Sequence, residues 1–173
     1  MLPADTARLR FREMTLEDLD DMARLLGDPQ VMAFYPAPKS RTEARKWIEW
    51  NLENYASFGH GLWIIETLDG RFVGDCGLTW QRVNGTRRVE VGYHVLPEYQ
   101  GQGLATEAAT ACREFARTNL AVTELIALVA VDNRASQRVA EKLGMRWIED
   151  DYDNPALRRA VWGMSLTPQR VNV

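Results

Sequence analysis

Apolar and basic residues alternate at Ala7-Arg8-Leu9-Arg10-Phe11-Arg12, the period-2 pattern of a half-buried strand. The period then lengthens. Leu16, Leu19, Met22, Ala23 and Leu26 share one helical face, between the capping-box-like Thr15-Leu16-Glu17-Asp18 and Gly27. Residues 28–39 carry three prolines and the cluster Val31-Met32-Ala33-Phe34-Tyr35, which predicts a loop with a helical turn. A second helix is predicted over 40–55, with Ala44, Trp47, Ile48, Leu52 and Tyr55 on one face. Strands follow at 62–66 and 72–80 around the hairpin signal Asp69-Gly70, and a third at 88–96 after Asn84-Gly85. Leu104, Ala108, Ala111, Cys112 and Phe115 mark another helix, 125–131 a fully buried strand, and Ala135, Val139, Ala140 and Leu143 a short helix closed by Gly144. Two strands, about 145–150 and 158–166, close the pattern.

This order predicts an α+β fold: a mixed, mostly antiparallel sheet of about seven strands flanked by about four helices, with one parallel βαβ crossover from 89–96 to 125–131. A length of 173 residues suits one domain, taken as 1–173, with no repeats. The longest apolar run, 125–131, is far shorter than a membrane-spanning helix, and the first residues lack the apolar core of a secretory signal. A cytoplasmic protein without membrane partners is expected. The net charge of -3 argues against binding nucleic acid through broad phosphate neutralisation. Two cysteines, Cys76 and Cys112, sit singly in apolar segments and read as buried thiols; two histidines, His60 and His94, leave few ligands for a metal, and none is expected.

The chemistry concentrates at Gln100-Gly101-Gln102-Gly103-Leu104-Ala105-Thr106, between a strand and the start of an amphipathic helix. Glycines there let backbone approach a ligand, and the first helical N–H groups, free of intrahelical partners, suit phosphate. A Walker A loop is excluded because Gly103-Leu104-Ala105 lacks Gly-Lys-Ser/Thr. The dinucleotide fingerprint fails at its third glycine, where Thr106 stands.

Gln100-x-x-Gly103-x-Ala105 resembles the pyrophosphate loop, Gln/Arg-x-x-Gly-x-Gly/Ala, of the GCN5-related N-acetyltransferases (GNAT). The stretch from Glu90 through Gly92-Tyr93-His94 and Pro97-Glu98-Tyr99 to Ala108 is similar to their ribosomal-protein N-terminal acetyltransferase (RimJ/RimL-like) branch, as is Asn133-Arg134-Ala135-Ser136 followed by Val139-Ala140-Glu141-Lys142-Leu143-Gly144-Met145. The resemblance implies acetyl-coenzyme A (acetyl-CoA) as donor co-substrate and direct transfer to a primary amine, either a peptide or protein α-amino group or a small-molecule amine. It implies backbone pairing of Val95 and Leu96 with the pantetheine arm and cofactor contacts along Gln100, Gly101, Gln102, Gly103, Leu104, Ala105 and Thr106. It adds Asn133, a natural helix N-cap, to those contacts, and Ser136 as donor to the leaving sulfur.

A neutral amine is the nucleophile, so a base is needed. Glu90, an acid inside an otherwise apolar strand, is the candidate. His94 shares its face by alternation and is placed, with Tyr35 and Trp80, on the acceptor side; Phe34, Trp63 and Trp162 are further wall candidates, and all these aromatic residues also suit a core. The acceptor, the acyl length and the choice between monomer and homodimer stay open. The alternative function is a non-catalytic coenzyme A-binding sensor or interaction module.

Overall fold

The computed structural model describes residues 1–167; residues 168–173, the end of the one-domain expectation, lie outside the described residues. The elements are β1 (Leu9–Arg12), α1 (Leu19–Gly27), α2 (Arg41–Phe58), β2 (Leu62–Thr67), β3 (Phe72–Val83), β4 (Thr86–Val95), α3 (Leu104–Asn119), β5 (Glu124–Ala130), α4 (Arg134–Lys142), β6 (Arg146–Asp150) and β7 (Arg159–Ser165). They follow the expected order. The strands form one mixed sheet, β1-β2-β3-β4-β5-β7-β6, antiparallel except for the β4–β5 pair.

Local chemistry sets the boundaries. The expected first helix begins as a 3-10 turn, Leu16–Asp18, because Asp18 folds back to accept the Thr15 N–H at 2.8 Å and pairs with Arg12 at 2.7 Å; regular α-helix starts only at Leu19. Ser40 caps α2 and Gly59, with φ +74, ends it. Asn84 and Gly85 both take positive φ, so a two-residue turn joins β3 to β4 and extends both beyond their expected ends, with Val83 paired to Thr86.

The sheet is buried on both faces in its middle. Trp63 and Ile65 of β2 pack with Leu78 of β3 towards α3, while Leu62 and Ile64 pack with Met22 and Ile48 towards α1 and α2, which is why β2 reads as a continuous apolar run. Trp63 meets Phe115 edge-on and is a core residue, not a cleft wall. Cys76 and Cys112 are buried free thiols with sulfurs 3.7 Å apart. Among the described residues no helix is long and apolar enough to cross a membrane.

β4 and β5 share a single residue pair, Glu90 with Ile126, whereas β5 continues alongside β7 for seven pairs. Beyond Glu90 the two parallel strands therefore part. The start of α3 sits over the opening.

Candidate active site

The opening is a cleft of about 740 Å³ walled by the 30–36 segment, β4, the start of α3, β5 and α4. At its mouth the Leu96 N–H donates to Val73 O at 2.9 Å. That N–H is engaged within the sheet, so of the two residues expected to pair with a pantetheine arm it is Val95 whose peptide N–H faces the opening. Peptide groups alternate in direction along a strand, and Val95 accordingly turns its N–H and C=O towards the cleft. The Gln100 amide donates to Val95 O at 2.8 Å, and its oxygen accepts from Gln30 at 2.8 Å, which ties the loop to both walls.

After a 3-10 turn at Pro97–Tyr99, Gly101 and Gly103 take φ +75 and +79, conformations that L side chains rarely adopt. Gly103 is the N-cap of α3 and no side chain caps the helix. The first intrahelical bond runs from the Glu107 N–H to Gly103 O, so the N–H groups of Leu104, Ala105 and Thr106 point out unpaired at the helix's positive end. Gly101, Gly103, Leu104, Ala105 and Thr106 line the cleft. Gln102 does not; its amide donates to Glu98 O and its carbonyl accepts from Arg8. Arg8 in turn pairs with Glu107 at 2.6 Å, pinning the N-terminal arm beneath the loop. Arg138 and Lys142 of α4 add positive charge to the wall.

Deeper in the cleft, Glu90 stands where the strands part. Burial pushes its carboxyl up to about 7, against the opposing pull of Arg159 and the Leu128 amide. Asn133 caps α4 by accepting the Ser136 N–H at 3.1 Å, and both residues line the cleft. The Ser136 hydroxyl lies 2.7 Å from the Tyr93 hydroxyl.

On the face of β4 that it shares with Glu90, opposite Tyr93, His94 lies between two partners: Tyr35 Oη is 2.6 Å from Nε2, and Asp75 Oδ1 is 2.7 Å from Nδ1. Asp75 also accepts from Trp47 Nε1 at 3.1 Å. Tyr35, Phe34 and His94 line the cleft. Trp80 lies outside it, stacked under the Arg87 guanidinium at 4.5 Å and next to His60.

The acetyltransferase (GNAT) domain family matches residues 8–146, most of the chain. The chain belongs to the GNAT acetyltransferase family. It is 37% identical over 144 residues to YkkB of Bacillus subtilis, covering 82% of this chain and 84% of that protein. It is 30% identical over 162 residues to an FsC-acetyl coenzyme A-N(2)-transacetylase of Aspergillus fumigatus, covering 87% and 68%. An acetyltransferase structure from Agrobacterium tumefaciens superposes with a TM-score of 0.80 at 24% identity, covering 93% and 92% of the two chains. RimL, a ribosomal L7/L12 alpha-N-protein acetyltransferase solved in complex with coenzyme A, superposes at 0.76 with 15% identity, covering 95% and 98%. At such identities the two structures establish a shared fold.

Residues in and around this GNAT cleft that the sequence did not single out include Tyr93, Gln30, Arg138 and Arg159, which line it, and Asp75, Trp47 and Arg8 behind its walls. Asp75 carries the signal that singled out Glu90, an acid inside an apolar strand. Tyr93 gave none beyond strand alternation, and Arg8 meets Glu107 across 99 residues of chain, beyond any local pattern.

Proposed function

We propose that the chain transfers an acetyl group from acetyl-CoA directly to a primary amine, on a peptide or protein N-terminus or on a small molecule, with Glu90 as general base. The observation that carries this reading is the parting of β4 and β5, which gathers the glycine loop, the Val95 peptide, Glu90 and Ser136 in one cleft. The donor set fits the cofactor. Unpaired N–H groups at the start of α3 suit a pyrophosphate, and the Val95 N–H and C=O suit an amide-bearing arm laid along β4. When bound, acetyl-CoA supplies an acetyl group on a thioester, activated towards a neutral amine.

A lysine-like ammonium has a pKa of about 10.4 and an α-ammonium about 7.7 to 8, so either needs help to lose its proton. Glu90, raised to about 7, is ionised enough near neutral pH to accept that proton at its carboxylate. Ser136 Oγ, oriented by Tyr93, is the donor to a departing sulfur. Asn133 holds the turn that presents it. A cytoplasmic setting belongs to the same reading.

Isothermal titration with acetyl-CoA, followed by thiol release over a panel of peptides, amino acids, polyamines and aminoglycosides, tests the proposal. Binding with turnover supports it. Binding without turnover on any amine favours the sensor module, and absence of binding overturns both.

A further inference from the structure

Acetyl transfer as described uses Glu90 and Ser136 and leaves a buried ionic device on the acceptor side unused. Asp75 is fully buried, and its carboxylate has two partners, the Trp47 N–H and His94. A buried carboxylate of that kind is costly unless a positive charge answers it. The groups facing His94 are Tyr35 from the 28–39 segment, the uncharged indole of Trp47 from α2, Asp75 from β3 and, along its own strand, Glu90. The Lys39 ammonium lies over the Trp47 ring, 5.3 Å from its centroid, and among the described residues His94 is the one cationic side chain paired with Asp75. Burial opposes an imidazolium here, but the Tyr35 oxygen and the Asp75 carboxylate outweigh it and raise His94 on balance.

Protonation on both ring nitrogens fixes the direction of every bond. In an imidazolium, Nδ1–H would donate to Asp75 and Nε2–H to Tyr35 Oη, across the 2.7 and 2.6 Å contacts. A phenol oxygen engaged this way turns its own hydrogen elsewhere, and Tyr35 is 41% exposed and lines the cleft beside Phe34 and Pro36, so that hydrogen is free to serve a ligand there. An O–H donor reads oxygen lone pairs, since the lone pair of the neutral amine is committed to attack on the thioester.

We propose that Tyr35 determines acceptor specificity by donating a hydrogen bond to a carbonyl or carboxylate oxygen of the acceptor, its hydroxyl oriented by the buried Asp75–His94 pair. The acceptor class is then amines with such an oxygen close to the nitrogen, as in amino acids, amino-acid amides and peptide N-termini. His94 and Asp75 are positioning residues. The inference rests on the amine-acetylating reading given above.

Two measurements on the full chain test it. The first is ¹⁵N-histidine NMR of the ligand-free protein, in which His60 and His94 are the only signals and His60→Asn assigns them. His94 is expected to carry protons on both nitrogens at pH 7, and Asp75→Asn is expected to lower its titration midpoint. A neutral His94 at pH 7 would reverse the Tyr35 bond and overturn the proposal. The second is thiol release with acetyl-CoA and a matched pair of amines, phenylalaninamide and 2-phenylethylamine, each rate referred to its free-amine concentration. Tyr35→Phe is expected to lower kcat/KM for the amide about fivefold more than for the amine, mainly through KM, the size of one neutral hydrogen bond. Asp75→Asn is expected to follow the same pattern. Equal losses on both probes, or wild-type turnover of phenylethylamine alone, overturn the assignment. Silence of the wild type on every amine of the broad panel instead removes the acetyl-transfer reading, while the His94 titration still reports the ion pair by itself.

Discussion

The hydroxyls of Tyr93 on β4 and Ser136 on α4 lie 2.7 Å apart and join the two walls of the cleft through their side chains. The Tyr93 hydroxyl also comes within 3.2 Å of Ser136 O, and burial holds its phenol well above the ordinary range; with its one hydrogen on Ser136 Oγ, the serine hydrogen is left for the cleft. The pair is thus a fixed hydrogen-bonded unit in which Tyr93 orients and Ser136 faces the cleft. Ser136→Ala is expected to lower kcat roughly tenfold, modest for an acid–base residue because an alcohol is a weak acid. Tyr93→Phe should cost less. Because the residues act as one unit, the double variant should be little worse than Ser136→Ala. Fully additive losses in steady-state thiol release would show that the two act separately.

Gly103 tests the loop. With φ +79 and its nearest foreign atom, the Arg8 guanidinium, 3.7 Å from an added Cβ, the position has space for a methyl group but the wrong backbone conformation for one. Gly103→Ala is expected to destabilise the fold by about 1 to 2 kcal/mol and to weaken coenzyme A. Gly103→Val should remove measurable binding, since branching at Cβ stiffens a residue that must turn its N–H groups outward. Titration calorimetry decides it: unchanged affinity in both variants would place the pyrophosphate elsewhere.

The order of elements was legible because each carries its own period and its own stop signal, as Gly27, Asn84-Gly85 and Gly144 illustrate. The lateral position of β7 between β5 and β6 was not, since strand order depends on contacts such as Leu125 with Met164, far apart in sequence. The glycine loop was readable because conformation is written in the residue type. Glu90 was readable as an anomaly against its neighbours, and Asp75 would have been by the same rule. The Arg8–Glu107 pair, the bond from Tyr93 to Ser136 and the pairing of Leu96 with Val73 are products of tertiary packing. The last of these engages the Leu96 N–H within the sheet, which no local pattern foretells.

The raised carboxyl of Glu90 gives a stability prediction of definite sign. The folded chain holds this proton up to about pH 7, whereas an unfolded glutamate loses it near 4.3. Its stabilising contribution is therefore fully present below about pH 4.3, falls as pH rises through 7, and then stays lost. Glu90→Gln removes the dependence. The variant should match the wild type at pH 4 and be more stable by about 2 kcal/mol at pH 8, less than the full shift implies because the side chain borders the cleft. Urea unfolding at the two pH values measures it. In activity the same variant should lose most near pH 8 and progressively less towards pH 10, where free amine no longer needs a base.

Arg159 links stability to that ionisation. Its guanidinium holds Asp151 Oδ2 at 2.7 and 3.0 Å, and Asp151 is 4% exposed. The two charges pull Glu90 in opposite directions, Arg159 lowering its pKa and Asp151 raising it. Arg159→Gln removes the first and leaves the second buried without its cation, so the fold should lose about 3 kcal/mol. The Glu90 carboxyl should then titrate higher, and the rising limb of kcat/KM against pH should move to higher pH. Arg159→Lys keeps the charge but not the two-point grip, and should restore most of the pH profile while recovering only part of the stability. A limb that stays fixed in Arg159→Gln would mean that some group other than Glu90 controls the reaction's pH dependence.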